Sequence, residues 1–466
     1  MRMTTLVSWL AAGALVASVH ATGEGEPLTE TACIERALRN DASVAVLRIG
    51  RAIDSLGLES AKAAWLPSVD IDASGTLTGD DAVGADVGLE VSQALPGGGT
   101  VNGSVSSSMA KAVGSSSPAT TDHSYSVSLR QPLARDAWGY SAPAYSIRVQ
   151  RLRERESYVR FIDELSFELT EVRKTYWRML EKNRLLTIAE DALEHARRLL
   201  AVERARFEIG EAAAIDTLSA SLEVLKAEQS LLASRNDKSR AQNELAEAIG
   251  LPPEEIILPD SISIDLRDPG SPEQLLARVR AFDPSLRKLA YTAERFQEQL
   301  RAEKRNLLPQ VDLQATYYDP PPQSPMALMA DNAVYSVVLS YTFPTKTKRI
   351  EVEQARLSAE RNLAETQAYE QELTNNVTEL VDAWHNDRRS LAIAELSHEV
   401  AQRYLEAAQR GYEVGTVDRI EYLQARDEAV AEAVRLVQKQ VLLKQAEVVF
   451  DELTGETLTR FGVTVE

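Results

Sequence analysis

The residues able to do chemistry are few and scattered. The five histidines (His20, His123, His195, His385 and His398) stand at no metal-ligand spacing, and no P-loop, dinucleotide fingerprint or nucleophile elbow occurs. Asp80 and Asp81, between Gly79 and Gly84, read as a surface turn in preference to a calcium loop. Cys33 is the one cysteine, which excludes an internal disulfide and leaves helical core as its ordinary role. The expectation is therefore no catalytic residue, no metal and no cofactor. What remains is a pair of acids, Asp216 and Glu421, each six residues past a glycine, Gly210 and Gly415. An acid on a helix is ordinarily a solvated carboxylate. Its recurrence in two equivalent places also allows a second role, since an acidic ring in a narrow pore attracts cations and repels anions.

Those equivalent places belong to an internal repeat, the first thing to seek when positions recur. Asn40-Asp41-Ala42-Ser43-Val44 matches Phe282-Asp283-Pro284-Ser285-Leu286, and Leu66-Pro67-Ser68-Val69-Asp70-Ile71 matches Leu308-Pro309-Gln310-Val311-Asp312-Leu313, both at a shift of 242 residues. Further on, Phe207-Glu208-Ile209-Gly210 matches Tyr412-Glu413-Val414-Gly415 at a shift of 205, so the first copy carries 37 extra residues in its middle. Repeat 1 is assigned to residues 22–260, with a helix over 28–66, strands over 68–133 and a helical hairpin over 147–250 turning near 210. Repeat 2 takes 261–466, with a helix over 272–308, strands over 310–343 and a hairpin over 350–455 turning near 415. Leu186, Ala189, Leu193, Ala196 and Leu200 keep a three-four spacing interrupted by Glu203, and Leu218, Leu222, Leu225 and Leu232 keep it on the return helix, as in a coiled coil.

The strand segments alternate strictly. Val69, Ile71 and Ala73 alternate with Asp70, Asp72 and Ser74, while Tyr125, Val127 and Leu129 alternate with serines. Aromatics (Trp65, Trp138, Tyr140, Tyr317, Tyr335, Tyr341) lie near the segment ends. A soluble sheet with one wet face and a membrane barrel share this pattern. Upstream, Arg2 leads an apolar run from Leu6 to Val19 that ends in Val19-His20-Ala21, which marks residues 1–21 as a secretory signal peptide. Its removal takes one arginine and no acid, moving the net charge from -19 to one unit more negative, an acidic balance that excludes nucleic acid as a partner.

Together these features resemble the TolC family of outer-membrane efflux proteins, on Leu66-Pro67 and Leu308-Pro309 at the helix-to-strand entries and Tyr412-Glu413-Val414-Gly415-Thr416 at the second turn. The resemblance implies a mainly α chain with transmembrane β: a homotrimer whose strands pool into one β-barrel continued by a long antiparallel α-helical coiled-coil barrel. It implies an outer-membrane location in a Gram-negative cell, with the helices in the periplasm. The function implied is an exit duct of a tripartite efflux or type I secretion system, whose partners are outer-membrane lipid, a periplasmic adaptor (membrane fusion protein) and an inner-membrane pump. By the same resemblance Glu421 and Gln424 take the selectivity-ring places. Tyr412 bonds towards Asp216 to close the tip, and Val417 stands where a linking arginine is usual, with Arg419 able to substitute only if its helix turns. Gly210 and Gly415 form the tip turns, and Ile209, Val414, Leu218 and Leu423, with Ile215 and Ile420, are the adaptor-docking candidates. The extra 37 residues either add a hairpin to the barrel or hang outside it. The rival reading, from the coiled coils alone, is a periplasmic scaffold without channel activity.

Overall fold

The computed structural model describes residues 28–78, 82–112, 118–256, 265–319, 329–330, 333–340 and 346–460. The signal segment, the Asp80-Asp81 pair, Tyr341 and the last residues of the expected 310–343 strand range lie outside these. The described residues form two compact units. One draws on residues 28–45, 166–275 and 379–460, the other on 46–165 and 276–378.

Each expected opening helix is in fact two. The segment 28–66 holds α1 (Glu30–Asn40) and α2 (Ala42–Ala63), and the segment 272–308 holds α5 (Pro272–Phe282) and α6 (Pro284–Arg305). The break falls at the same repeat position, Asp41 and Asp283. Asp41 has extended backbone, and its Oδ1 accepts from the Ser43 amide at 2.7 Å. Asp283 precedes a proline, which disfavours α geometry, and its Oδ1 caps the Leu286 amide at 2.7 Å. A short acid that caps the next helix competes with the helix it interrupts.

The unit of residues 46–165 and 276–378 contains the sheet. β1 (Ser68–Thr78), β2 (Ala82–Ala94), β3 (Thr100–Ala112), β4 (Thr120–Pro132), β5 (Gln310–Asp319), β6 (Met329–Ala330) and β7 (Ala333–Ser340) form one antiparallel sheet in the order β1-β2-β3-β4-β5-β7-β6. The ladder from Val69 runs through Val91, Gly103, Val127 and Tyr317 to Ala333 without a slip. A one-residue slip would move every apolar side chain to the opposite face.

Two helices are too long for a compact globular domain. α3 (Ala142–Glu208) has 67 residues and α7 (Lys346–Val414) has 69, on the order of 100 Å each at 1.5 Å per residue. α4 (Ala214–Ile249) returns from α3 and α8 (Arg419–Leu453) from α7, followed by α9 (Glu456–Arg460). In the unit containing the hairpin turns, Cys33 and Ala37 of α1 pack with Tyr176 and Met179 of α3, Leu245 and Ile249 of α4, and Val441 and Val448 of α8. Burial pushes the Cys33 thiol up to about 12, so it is a core side chain and not a reactive one.

The seam of the first hairpin differs from the expected one. Ala189 and Leu193 of α3 meet Val224, Ala227 and Leu231 of α4, whereas Leu218, Leu222, Leu225 and Leu232 are exposed. Alanines let the helices approach closely, and the longer leucines are left as a separate stripe.

Charge ties the two ends of the chain into this unit. Arg173, 3% exposed, donates to Glu30 of α1 at 2.6 Å and to Asp451 of α8 at 2.9 Å. Removing one partner of a buried charge group costs roughly 3 kcal/mol, because the other charge stays buried. Arg173→Ala is therefore expected to release α1. Limited proteolysis of the folded protein should cut near residues 28–41 in the variant and spare them in the wild type, and equal protection in both would contradict this.

Candidate functional site

Both hairpins turn by the same device. Gly210 and Gly415 have φ of 81° and 87°, a region open to glycine. Beyond each, an amide reaches back to a carbonyl five residues earlier: Glu211 to Arg206 at 2.8 Å and Thr416 to Gly411 at 2.8 Å. A Cβ on either turn glycine would meet nothing, so backbone conformation is what requires them. Gly411 is different, since a Cβ there would lie 2.4 Å from Val417 Cγ2. The close approach of Val417 explains that glycine, which sequence reasoning passed over.

Four polar links join the two hairpins near these turns. The Tyr412 hydroxyl donates to Glu203, not to Asp216 as the resemblance implied. Arg206 donates to the Tyr412 carbonyl at 2.7 Å, and its guanidinium sits 4.4 Å from the centre of the tyrosine ring. Asp216 accepts from the Ala213 amide at 3.1 Å, capping α4, and Arg419 lies 3.5 Å from its Oδ1 while donating to its carbonyl at 3.0 Å. Arg419 thus reaches Asp216 without any turn of its helix, because it is the first residue of α8. Deeper along, Arg426 donates to Glu223 at 2.8 Å with its side chain 10% exposed.

Around these links Leu199, Ala220, Ala408, Tyr412, Tyr422 and Ala425 form one core, with the rings of Tyr412 and Tyr422 stacked at 5.3 Å. Burial and the bond to Glu203 push the Tyr412 hydroxyl well above the usual tyrosine value, holding it as a neutral donor. Glu203, 3% exposed, and Arg426 were not singled out as site residues. The signal for Glu203 was present as the acid interrupting an apolar stripe. For Arg426, nothing in the sequence set it apart.

Glu421 and Gln424 are exposed on one face of α8, with Asp427 and Glu428 exposed on the following turn. The Glu421 amide donates to Asp418 at 2.8 Å, leaving its carboxylate outward. Of the docking candidates, Leu423 packs into the tyrosine core, whereas Ile209, Ile215, Leu218, Ile420 and Val414 are exposed, Val414 at 79%. These exposed apolar residues lie within about two helical turns of Gly210 or Gly415.

The sheet unit has two unlike faces. Register places Ile71, Leu89, Val105 and Tyr125 in one row, and Asp72, Gly88, Ser106 and Ser124 in the next. Hydroxyls bridge the polar rows, Ser104 to Ser126 at 2.8 Å and Ser106 to Ser124 at 2.6 Å. The apolar rows are open: Ile71 is 73% exposed, and Val127, Tyr317, Val337 and Leu339 are exposed on the same face. Trp138 and Tyr140, just past β4, are exposed too. No helix among the described residues is long and apolar enough to cross a membrane.

Solved structures share this architecture. A membrane protein from Pseudomonas aeruginosa aligns with a TM-score of 0.68 at 16% identity, covering 92% of this chain and 90% of that one. The outer membrane protein VceC of Vibrio cholerae aligns at 0.66 and 13% identity, over 91% and 96%. The outer membrane channel CmeC of Campylobacter jejuni aligns at 0.65 and 13% identity, over 92% and 89%. These likenesses are of fold. None of the curated proteins matches. The family of outer membrane efflux proteins matches residues 33–251 and 275–456, both repeats and most of the chain. The chain belongs to the outer membrane efflux protein family, and it is an outer-membrane channel and not an enzyme.

Proposed function

We propose that three copies form one passive exit duct, gated where the hairpins turn and supplied by an inner-membrane pump through a periplasmic adaptor. The observation that carries this is the open sheet. One edge is β1, and at the other β6 pairs only with Ala333 and Val334 of β7. Lipid offers backbone groups no partner, so a sheet with an exposed apolar face survives there only by closing into a barrel, here with neighbouring copies. Helices give the same argument. Val46, Ile49, Ile53 and Leu56 form an exposed stripe on α2, and Ile393, Leu396, Val400 and Tyr404 form one on α7. Each suits a helix of another copy.

The polar links between hairpins are the candidate lock, and the exposed Glu421 and Gln424 the candidate ring. Opening requires the hairpins to part, which the Tyr412, Arg419 and Arg426 links oppose. The exposed apolar residues of the turns are the surface an adaptor would engage, binding the open arrangement better than the closed one. The duct itself supplies no energy and no chemistry.

Single-channel recording in planar bilayers tests the gate. Wild type is expected to give a small, cation-selective conductance, with selectivity reduced in Glu421→Ala; unchanged selectivity would remove Glu421 from the passage. Tyr412→Phe leaves the Glu203 carboxylate buried without its donor, a cost of roughly 1–3 kcal/mol, and should raise the open fraction several-fold. An open fraction equal to that of wild type would show that this link does not hold the gate.

The pH response follows from Glu223. Burial pushes its carboxyl up, but hydrogen bonds from Lys226 and Arg426 outweigh that and hold it below its ordinary value of 4.5. A lowered carboxylate contributes stability above its ordinary value and loses it only as pH falls through the lower folded one. Recordings at pH 7 and pH 5 should therefore show the same open fraction for the Arg426–Glu223 link, while Glu223→Gln should raise it at both. An opening at pH 5 that Glu223→Gln abolishes would contradict this.

A further inference from the structure

The two repeats do not contribute equally to the sheet. β5 and β7 come from the second, and β1 and β4 hold the matching places in the first. β2 and β3 are the addition, spanning most of the 37 residues by which the repeat spacings differ.

This hairpin is part of the sheet and not an appendage. β2 pairs with β1 from Ser68↔Ser92 to Thr78↔Ala82, and β3 pairs with β4 from Thr100↔Arg130 to Ala110↔Thr120. Its turn is anchored as well. Gly98 donates to the Leu95 carbonyl at 2.8 Å, while the Gly97 carbonyl accepts from the Trp138 amide at 3.1 Å and from Gln131 Nε2 at 2.9 Å. Gly98 has φ of 87°, and a Cβ there would fall 2.2 Å from the Asp136 carbonyl oxygen. The turn is thus fitted to the segment that leads from β4 into α3.

The hairpin also keeps the two faces. Its apolar side adds Val83, Val87, Leu89, Val91 and Val105 to the exposed rows. Its polar side adds mostly small residues, Gly84, Asp86, Gly88, Ser104, Ser106 and Ser108, with Glu90 and Asn102 the longer ones. A barrel enlarged by these strands is not refilled by aromatic or bulky apolar side chains.

We infer that the β2–β3 hairpin widens the exit: six long strands from each of three copies close a barrel of eighteen, where the chain without the hairpin would close twelve. This rests on the duct reading above. An even number per copy keeps the junctions antiparallel. Barrel diameter grows roughly linearly with strand number, so the bore is about one and a half times as wide and a little over twice the area. The lining carries Asp70, Asp72, Asp86, Glu90 and Asp122, while Arg130 is taken up by Asp312 at 2.6 Å. The cargo class that fits is bulky and hydrophilic, cationic or neutral in preference to polyanionic.

Polymer exclusion measures the bore apart from the gate. Full-length protein in planar bilayers is exposed, from the side on which the barrel opens, to polyethylene glycols of graded size, and the largest that still lowers the conductance is recorded. The comparison is a variant lacking residues 82–117, in which β1 and β4 can pair directly because Ile71 and Tyr125 already share a row. The cut-off radius is expected to fall by about a third in the variant. An unchanged cut-off overturns the inference, whereas a wild type that never forms channels defeats the duct reading itself.

Should the shortened chain fail to assemble, full-length Val105→Cys and Ser106→Cys variants carry an environment-sensitive dye, Cys33 being fully buried. Brominated acyl chains should quench the dye at position 105 and not at 106. Quenching at neither position, or at both, overturns the inference.

Discussion

A backbone amide in the hydrocarbon of a bilayer has no water to bond to, and that constraint governs the rest of this molecule. The strands of the sheet satisfy one another along their shared ladders, yet the outer edge of β1 and that of β7 from Tyr335 onward have no strand partner among the described residues. Its apolar rows are equally incomplete, exposed and uncovered among the described residues. A copy alone is therefore an unfinished object, and in the proposed duct its missing partners are further copies of itself. The repeat makes this economical, because two similar halves each supply strands and a helical hairpin, the first with one β-hairpin more.

The helices follow the same logic with side chains in place of backbone. α4 carries two stripes. One, of Ala220, Val224, Ala227 and Leu231, is used within the copy, and the other, Leu218, Leu222, Leu225 and Leu232, is left exposed. Within a copy, the hairpins are held near their turns by groups that pair across chain separations of about two hundred residues. They are buried enough to matter and polar enough to be broken. Glu203 with Tyr412 and Glu223 with Arg426 suit a closed arrangement that a partner can open, since a parted link regains water.

How much of this was legible beforehand depends on range. Local constraints could be read: the turn glycines from their repeat spacing, the two faces of the sheet from strict alternation, and the family from the Leu-Pro entries and the second turn. Pairings between distant segments could not. The resemblance gave Tyr412 to Asp216, but α7 meets α3 at this level, so its partner is Glu203, while Asp216 belongs to Arg419. The leucine spacing on α4 was a true helical signal assigned to the wrong contact, since periodicity reports a face and not its occupant. Asp41 and Asp283 carried a readable break, the Asp-Pro pair in the second copy, that was lost inside an otherwise continuous helical pattern. Whether the added hairpin joins the sheet was undecidable from spacing and became plain only from register.

The claim on which everything rests is that the two free edges of the sheet meet between copies. Single cysteines along β1, at Asp70 or Asp72, combined with single cysteines along β7, at Ser336 or Val338, test it when the membrane-embedded protein is oxidised and run on a denaturing gel. Closure of three copies should give covalent dimers and trimers with nothing larger. A ladder that stops at two, one that continues past three, or the absence of any cross-link at every pairing would contradict the account.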